Sequence, residues 1–362
     1  MKFPIFAPML ALLFYSVASC AQTPLEPLFP KLFPQPTGKN GLEEIIMAGD
    51  LLASSQAMKD FELMPTKPTL FEKRTILSDA RVSRAITLYR SGLRKKLVMP
   101  KPADENAFQG YAYLRRMARL MTVDSYVLLA DGRTNLAIDD VVGMLELSLT
   151  VQTDRLIGGL VGIAIDAITL KSIVQHMDQM SEFDCKRLMA VAKDWLSAPD
   201  PSLKAFAVER EGFMKELETI IKAYPKADAD KAREYATMRS AQIMEHLSKP
   251  YVGRQPLPAL EAKGAGMELV AALDSLSVLD QSFSKFAMDR AKVQELGVHA
   301  AIRKWKWDHD QLPDSLAQLD LGTMIIDPVN GTQMIYKKKS DNTYELIVEG
   351  LIIKPALDEP SI

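Results

Sequence analysis

Helical periodicity runs through most of this chain and constrains its fold more than any other feature. From residue 41 to about residue 309, apolar side chains recur every three or four positions, the spacing that places them on one face of an α-helix. Asp131-Gly132 and the prolines at 199, 201 and 225 break the pattern at intervals, as helix ends do. The sequence therefore predicts a mainly α fold, a multi-helix stack of solenoid-like hairpins.

The breaks divide the chain into separate predicted helices. A long helix from 267 to 307, or two that break near Gly297, follows the proline-rich loop 250–263. This loop is the predicted internal boundary, with a helical domain at 41–250, a linker at 251–266 and a second unit at 267–362. The helices predicted before the loop start with three near residues 42–52, 77–88 and 108–121. They continue at residues 135–150, 154–177, 182–196, 202–223 and 228–247.

The segment 154–177 contains the small-residue run Ile157-Gly-Gly-Leu-Val-Gly-Ile-Ala-Ile165. Its apolar stretch is interrupted by Asp166, and Asp154 and Arg155 flank it. Charges are costly inside a bilayer, and a span needs about 20 apolar residues. A buried central helix is the favoured interpretation over a membrane span.

The N-terminal 20 residues have the layout of a secretory signal. Lys2 is followed by an apolar segment at 5–17, which is short for a membrane span. Val17-Ala18-Ser19-Cys20 then resembles a bacterial lipobox, which predicts lipidation of Cys20. The alternative is ordinary cleavage after Ala21. Both alternatives predict an exported protein, at the periplasmic face of a bacterial membrane or on the cell surface.

Residues 21–40 predict a tether, because five prolines in this stretch disfavour a helix and favour extended, solvated chain. A disordered leader without a lipid fits the same composition. Cys20 and Cys185 are the only cysteines of the 362 residues, so removal or lipidation of Cys20 precludes an internal disulfide. Cys185 lies in a helical pattern and is predicted to be a small buried residue.

The last fifth of the chain predicts a small module of a different kind. Pro313 follows the long helix, a Leu316-Ala-Gln-Leu319 turn comes next, and Asp327-Pro-Val-Asn-Gly331 has the composition of a tight turn. Residues 334–338 and 344–348 then predict two antiparallel strands. A lone hairpin is marginally stable in water, so it is expected to pack on the long helix.

Residues 298–350 resemble the C-terminal part of the pseudopilins of the type II secretion system. The resemblance lies in the helix, the Leu-x-x-Leu turn, the Asp-Pro-x-Gly-like turn and the strand with Tyr336. A pilin, however, begins with a short leader and an uninterrupted apolar helix, which this chain lacks. Its layout is more similar to exported helical bacterial proteins of uncharacterised function that end in such a module.

The resemblance also implies a calcium candidate, because major pseudopilins can bind calcium in the loop before the final strands. The oxygen donors here would be Asp320, Asp327 and Asn330, with Asp341 as a possible addition. Calcium takes six to eight oxygen ligands, whereas Asp and Asn are also common turn residues. No other cofactor is predicted.

The sequence contains no motif of a known catalytic or nucleotide site, and no catalytic residue is predicted. A formal net charge of −2 gives no basic footprint for nucleic acid. The predicted function is a non-catalytic, lipid-anchored scaffold or protein-binding module whose partner is another envelope protein. The alternative is an envelope hydrolase with carboxylates gathered from separate helices.

Overall fold

The computed structural model of the protein describes residues 37–64, 67–99, 109–252, 254 and 280–348. The signal and lipobox at 1–20, nearly all of the tether at 21–40 and most of the linker at 251–266 lie outside the described residues. Within them the protein is mainly helical, with one two-stranded antiparallel hairpin near the C-terminus. The predicted fold class, a helical stack with a small helix-plus-hairpin module, is confirmed.

Eleven α-helices lie in the described residues, and most agree with the predicted segments to within a few positions. The helix predicted from 267 is described from residue 280 and is unbroken at Gly297. In chain order the helices are α1 Gly41–Ser54, α2 Gln56–Glu62, α3 Leu70–Leu77, α4 Ala80–Gly92, α5 Gln109–Ala130, α6 Thr134–Gln152, α7 Leu156–Val174, α8 Glu182–Ser197, α9 Pro201–Ile220, α10 Lys226–Ser248 and α11 Asp280–His309.

Polar side chains at the helix starts explain several boundaries. Asp79 accepts hydrogen bonds from the amides of the first turn of α4, and Thr69 forms a capping box with Glu72 at the start of α3. The side chain of Ser55 caps α2 in the same way. Helices α2 and α3 have only seven and eight residues, too few for a clear periodic pattern.

The main hydrophobic core is shared by α1 to α8, with Met58 of α2 and Ile76 of α3 among its members, and the middle of α11 completes it. Helix α7 contacts α5, α6, α9 and α11. By length and composition alone, α7 is the one described helix that could cross a membrane, and half of its apolar window is buried within the fold. Its position agrees with the predicted buried central helix.

Helices α9 and α10 form an antiparallel pair with a small hydrophobic cluster of its own. Alanines on α10 allow the close contact, since Ala232 and Ala236 pack beside Leu217 of α9. The N-terminal part of α9 contacts α7 through a second hydrophobic cluster, which includes Phe206 and Phe283. The α9–α10 pair is thereby joined to the body mainly through α9.

The C-terminal module packs on α11, as the sequence predicted. Strands β1 (Ile335–Lys338) and β2 (Tyr344–Ile347) are paired with Tyr336 opposite Leu346. Val298 and Ile302 of α11 form a common core with Leu346 and the following Val348. Helix α11 ends at His309, where Asp310 takes a left-handed conformation with φ 56°.

Candidate functional site

Two aspartates from separate helices meet in the core. The hydrolase alternative requires carboxylates that are gathered from separate helices, so this pair is a candidate for it. Asp166 lies on α7 and Asp289 on α11, and both residues are fully buried. Their carboxyl groups are hydrogen-bonded to each other. The side-chain amide of Gln152 donates to Oδ2 of both aspartates at 2.8 Å, and the hydroxyl of Ser148 donates to Oδ1 of Asp166. We refer to Asp166 and Asp289 as the α7–α11 acid pair.

Glycines on α7 allow the neighbouring helices to come close enough for this arrangement. A Cβ at Gly162 would lie 2.4 Å from Cγ of Gln152 and 2.6 Å from the backbone oxygen of Ser148. A Cβ at Gly159 would lie 2.2 Å from the ring of Phe286 on α11. The small residues that suggested a buried helix thus allow α6 and α11 to pack closely on α7 beside Asp166.

Burial raises the pKa of both aspartates above its ordinary value, and the proximity of Asp289 raises the pKa of Asp166 further. Neither carboxyl has an ion-pair partner among the described residues. Since one carboxyl must donate the hydrogen bond, the pair holds a proton. Oδ1 of Asp289 and Oε1 of Gln152 are buried without a hydrogen-bond partner in the described structure.

This geometry does not match that of a hydrolase. The carboxyl groups of glycosidases stand about 5–10 Å apart, with the substrate or a water molecule between them. Here the two carboxyls are in hydrogen-bond contact and have no exposed surface. The α7–α11 acid pair can hold a proton and join two helices, but a solvent-borne substrate has no access to it.

A second acidic cluster contains a basic residue. The guanidinium of Arg90 on α4 donates to Asp140 on α6 through Nε at 3.1 Å and Nη2 at 2.8 Å, and to Asp124 on α5 at 2.6 Å. We refer to these three residues as the Arg90 cluster. Burial raises the pKa of Asp140 to about 7, although Arg90 opposes the shift. The cluster connects three helices of the core.

A polar contact joins α11 to the hairpin. Nδ1 of His299 lies 2.7 Å from the hydroxyl of Tyr344, and Nε2 of His299 lies 3.5 Å from Oε1 of Glu295. His299 and Glu295 are both buried. Gln294, on the same helix, donates through its amide to the backbone oxygens of Thr323 and Met324 at 3.2 and 2.6 Å. These contacts fix the module on the helix.

The most exposed aromatic side chains near this module lie at the start of α8 and the end of α11. Phe183 is 66% exposed and Trp307 is 52% exposed. The indole of Trp307 donates to the backbone oxygen of Met180 at 2.9 Å, three residues before Phe183. The guanidinium of Arg187 lies 6.0 Å from the ring of Phe183, and that of Arg303 lies 5.2 Å from the ring of Trp307. We call Phe183, Arg187, Arg303 and Trp307 the aromatic–arginine surface.

A separate groove of 720 Å³ runs along α9. Its described lining residues lie on α9 and in the short turn that follows it, and they carry charges of both signs: Arg210, Glu211, Met214, Lys215, Glu218 and Lys222 are among them. Within the described residues this groove contains no histidine, cysteine or buried carboxylate, the groups that most often act in catalysis.

The calcium candidates occupy the turn region before the strands. Asp320 is exposed and left-handed, with φ 49°. Asp327 is buried, and its Oδ1 accepts a hydrogen bond from the amide of Val329 at 2.7 Å. Oδ1 of Asn330 accepts from the amide of Thr332 at 2.8 Å. Asp327 and Asn330 thus serve the turn. Across the described ranges, no group of three His, Cys, Asp or Glu residues is arranged to hold a metal ion.

The two cysteines differ in what the structure describes. Cys20, the predicted lipidation residue, lies outside the described residues. Cys185 is buried, and burial raises the pKa of its thiol to about 12. A thiol is a weak nucleophile at neutral pH when its pKa is this high, which agrees with the predicted structural role.

Sequence reasoning missed the α7–α11 acid pair and the Arg90 cluster. The positions of Asp166 and Asp289 are more than 120 residues apart, and no local motif connects them. The one available signal was Asp166 itself, a charged residue in an otherwise apolar helix, which requires a partner when buried. The identity of that partner depends on tertiary packing.

No protein family, curated protein or solved structure matches the chain. The resemblance of residues 298–350 to pseudopilins therefore stays a prediction.

Proposed function

We propose that the protein is a non-catalytic, exported envelope scaffold, anchored by a lipid at Cys20, that binds another envelope protein through its helical body. The lipobox-like sequence before Cys20 and the proline-rich tether support the anchoring. The predicted location is the periplasmic face of a bacterial membrane or the cell surface. The pseudopilin-like module is a structural end of this scaffold.

The observation that carries the binding role is the aromatic–arginine surface. Trp307 and Phe183 are large apolar side chains that remain exposed, although a burial of each ring would stabilise the fold by about 1.5–3 kcal/mol. Aromatic residues and arginine are enriched at protein interfaces. Tryptophan and arginine are also enriched among the few interface residues that supply most of the binding energy.

Contacts within the surface hold these side chains in place before a partner arrives. The indole of Trp307 is fixed by its hydrogen bond to Met180, and Arg303 stacks over it. Around them lie the ion pairs Lys186–Glu182 and Lys304–Asp308, which supply a polar rim. A preordered side chain loses less entropy on binding, by about 0.5–1.5 kcal/mol for each side chain.

The hydrolase alternative has no supporting observation among the described residues. Its requirement is a pair of accessible carboxylates, and both described carboxyl pairs are packed between helices. The Arg90 cluster and the α7–α11 acid pair support the scaffold role, since each joins helices of one body.

Metabolic labelling with palmitate tests the anchor. We expect label on the intact protein expressed in a bacterium that processes lipoproteins, and none on the Cys20→Ala variant. Cys185→Ala is the matched control, because its thiol is buried, and it should label as the unaltered chain does. Equal labelling of the unaltered protein and Cys20→Ala would contradict the anchor.

Site-specific photo-crosslinking tests the binding surface. A benzophenone amino acid placed at position 183 or 307 of the full chain in intact cells should yield one discrete adduct of the same mass at both positions. Position 71 is the control, because Phe71 is 78% exposed on a different helix, α3. The adduct from position 307 should disappear in Arg303→Glu, which reverses the charge beside the ring.

Adducts of equal yield at 71, 183 and 307, or none at 183 and 307, would contradict the binding role of this surface. Because labelling and crosslinking are separate measurements, the anchor and the surface succeed or fail independently.

A further inference from the structure

The two described carboxyl pairs differ in one respect that has a functional consequence. In the Arg90 cluster, the guanidinium of Arg90 lies between Asp124 and Asp140 and its side chain is 38% exposed. In the α7–α11 acid pair, the hydrogen-bond donors are the neutral Ser148 and Gln152. A buried carboxylate without a cation is costly, so neutralisation here requires a proton.

We propose that the α7–α11 acid pair is a proton-dependent lock, which holds helix α11 on the helical body while the pair keeps a proton and loosens it when that proton is lost.

No cation forms an ion pair with either carboxyl among the described residues. Helix α6 contributes Ser148 and Gln152, which carry no charge. On α11 itself, Arg290 and Lys292 lower the pKa of Asp289 electrostatically, against the larger effect of burial, which raises it. Arg290 donates instead to the backbone oxygen of Leu196 at 2.6 Å and lies 5.6 Å from the ring of Trp195, both on α8. Helices α5, α8 and α9, which also pack on α7 or α11, bring no ion pair to either carboxyl in the described structure.

The sign of the pH dependence follows from the raised pKa of both carboxyls. When α11 is docked, the pair keeps its proton above pH 4, whereas aspartates exposed to water ionise near pH 4. The docked state therefore binds more protons, and its stability falls as the pH rises from about 4 through the raised pKa. The contribution of the pair to docking is largest at about pH 4 and below, and it is lost above the raised pKa.

A change at the pair would extend to the C-terminal module. Asp289 lies on the same helix as Gln294 and His299, the residues that hold the turn region and β2. One turn further on, Ile302 packs in the core shared with the hairpin. A shift of α11 relative to α7 carries these contacts with it, so the lock couples the pH of the surroundings to the position of the module.

Hydrogen exchange of the full chain across pH tests the proposal. After correction for the intrinsic pH dependence of exchange, protection of the α11 amides near Asp289 should fall by about tenfold or more between pH 5 and pH 8, because each pH unit over which only the docked state keeps the proton changes docking about tenfold. In Asp166→Asn the amide is permanently neutral and still donates to Asp289. Asp289 stays buried and ionisable in this variant, so the change over the same range should be clearly smaller than in the unaltered chain without vanishing.

Two further variants complete the design. Asp289→Asn removes the acidic acceptor from the other helix and should also reduce the pH dependence, so the test survives if Asp166→Asn fails to fold. Asp308→Asn removes an exposed aspartate of α11 whose pKa is lowered by the hydrogen bond from Lys304, and it should follow the unaltered protein. Protection of α11 that is independent of pH in the unaltered chain would overturn the proposal. Retention of the full pH dependence by Asp166→Asn would also overturn it.

Discussion

The carboxyl of Asp166 on α7 is hydrogen-bonded to the carboxyl of Asp289 on α11, and both residues are fully buried. Two ionised carboxylates in this position would repel each other in a medium of low dielectric constant. A shared proton converts the repulsion into a hydrogen bond between the helices. The same contact excludes water, which makes it a structural junction and unsuitable for hydrolysis.

The stability of the fold should depend on glycine at position 162, where α6 and α7 are in close contact. Gly162→Ala places a methyl group against Gln152 and Ser148, at distances that real Cβ atoms do not tolerate. We expect a loss of about 1–3 kcal/mol in the free energy of unfolding, the usual cost of overpacking, measured by urea denaturation.

The matched control for this prediction is Gly212→Ala on α9. A Cβ at Gly212 would have no atom within 4 Å. Because alanine is favoured over glycine in a helix, this variant should gain about 0.5–1 kcal/mol. Equal effects of the two substitutions would contradict the packing described for α6 and α7.

Removal of the basic residue from the Arg90 cluster should destabilise the core. Arg90→Met removes the cation that is hydrogen-bonded to both Asp124 and Asp140, and we expect a loss of about 2–4 kcal/mol at neutral pH. This range starts lower than the range for fully buried pairs, because the side chain of Arg90 is 38% exposed. Lys249→Met, which breaks the exposed pair with Glu245, should cost less than about 1 kcal/mol. A loss for Arg90→Met as small as this control would show that the cluster contributes little.

The contact between α11 and the hairpin should depend on the hydroxyl of Tyr344. Tyr344→Phe removes the group that lies 2.7 Å from Nδ1 of the buried His299. A buried polar atom left without its partner costs about 1–3 kcal/mol, and exchange of the β1 and β2 amides should accelerate accordingly. Tyr336→Phe is the control, since the hydroxyl of Tyr336 bonds to the backbone oxygen of Pro313 at 2.8 Å and not to α11. Faster exchange in Tyr336→Phe than in Tyr344→Phe would contradict this assignment.

The turn at Asp327 offers a test of calcium against a plain structural role. Asp327→Ala removes the acceptor of the Val329 amide and should lower the free energy of unfolding by about 1–2 kcal/mol, with or without calcium. Calcium at millimolar concentration should leave the melting temperature of the unaltered chain unchanged. An increase in melting temperature that Asp320→Ala abolishes would instead support a calcium site at Asp320, Asp327 and Asn330.

Most helices and the hairpin of this chain could be predicted from local sequence patterns. Helix α5 ended where the sequence indicated, at Asp131-Gly132, with Gly132 in a left-handed conformation. The hairpin and its packing on Val298 and Ile302 followed from alternation and turn chemistry. These features depend on interactions between residues close in sequence or on simple burial, which a single sequence records.

The polar junctions depend on contacts that no local pattern records. Gln152 meets Asp289 across 137 positions, and Arg90 meets Asp140 across 50. Their pairing is decided by the order in which helices pack, which small residues such as Gly162 permit but do not specify. The short helices α2 and α3 were not predicted for another reason. Seven or eight residues make only about two helical turns, too few for a clear periodic pattern.

The most direct test of the central claim is the protonation state of the α7–α11 acid pair in the folded protein. Carbon-13 NMR of the full chain, labelled at the aspartate carboxyl carbons, reports the protonation of each group. At pH 7 we expect a protonated aspartate carboxyl, distinct from the signal of Asp140 whose pKa is about 7, that disappears in Asp166→Asn and persists in Asp308→Asn. Full ionisation of both Asp166 and Asp289 at pH 7, with titration near the ordinary value of 3.8, would contradict it.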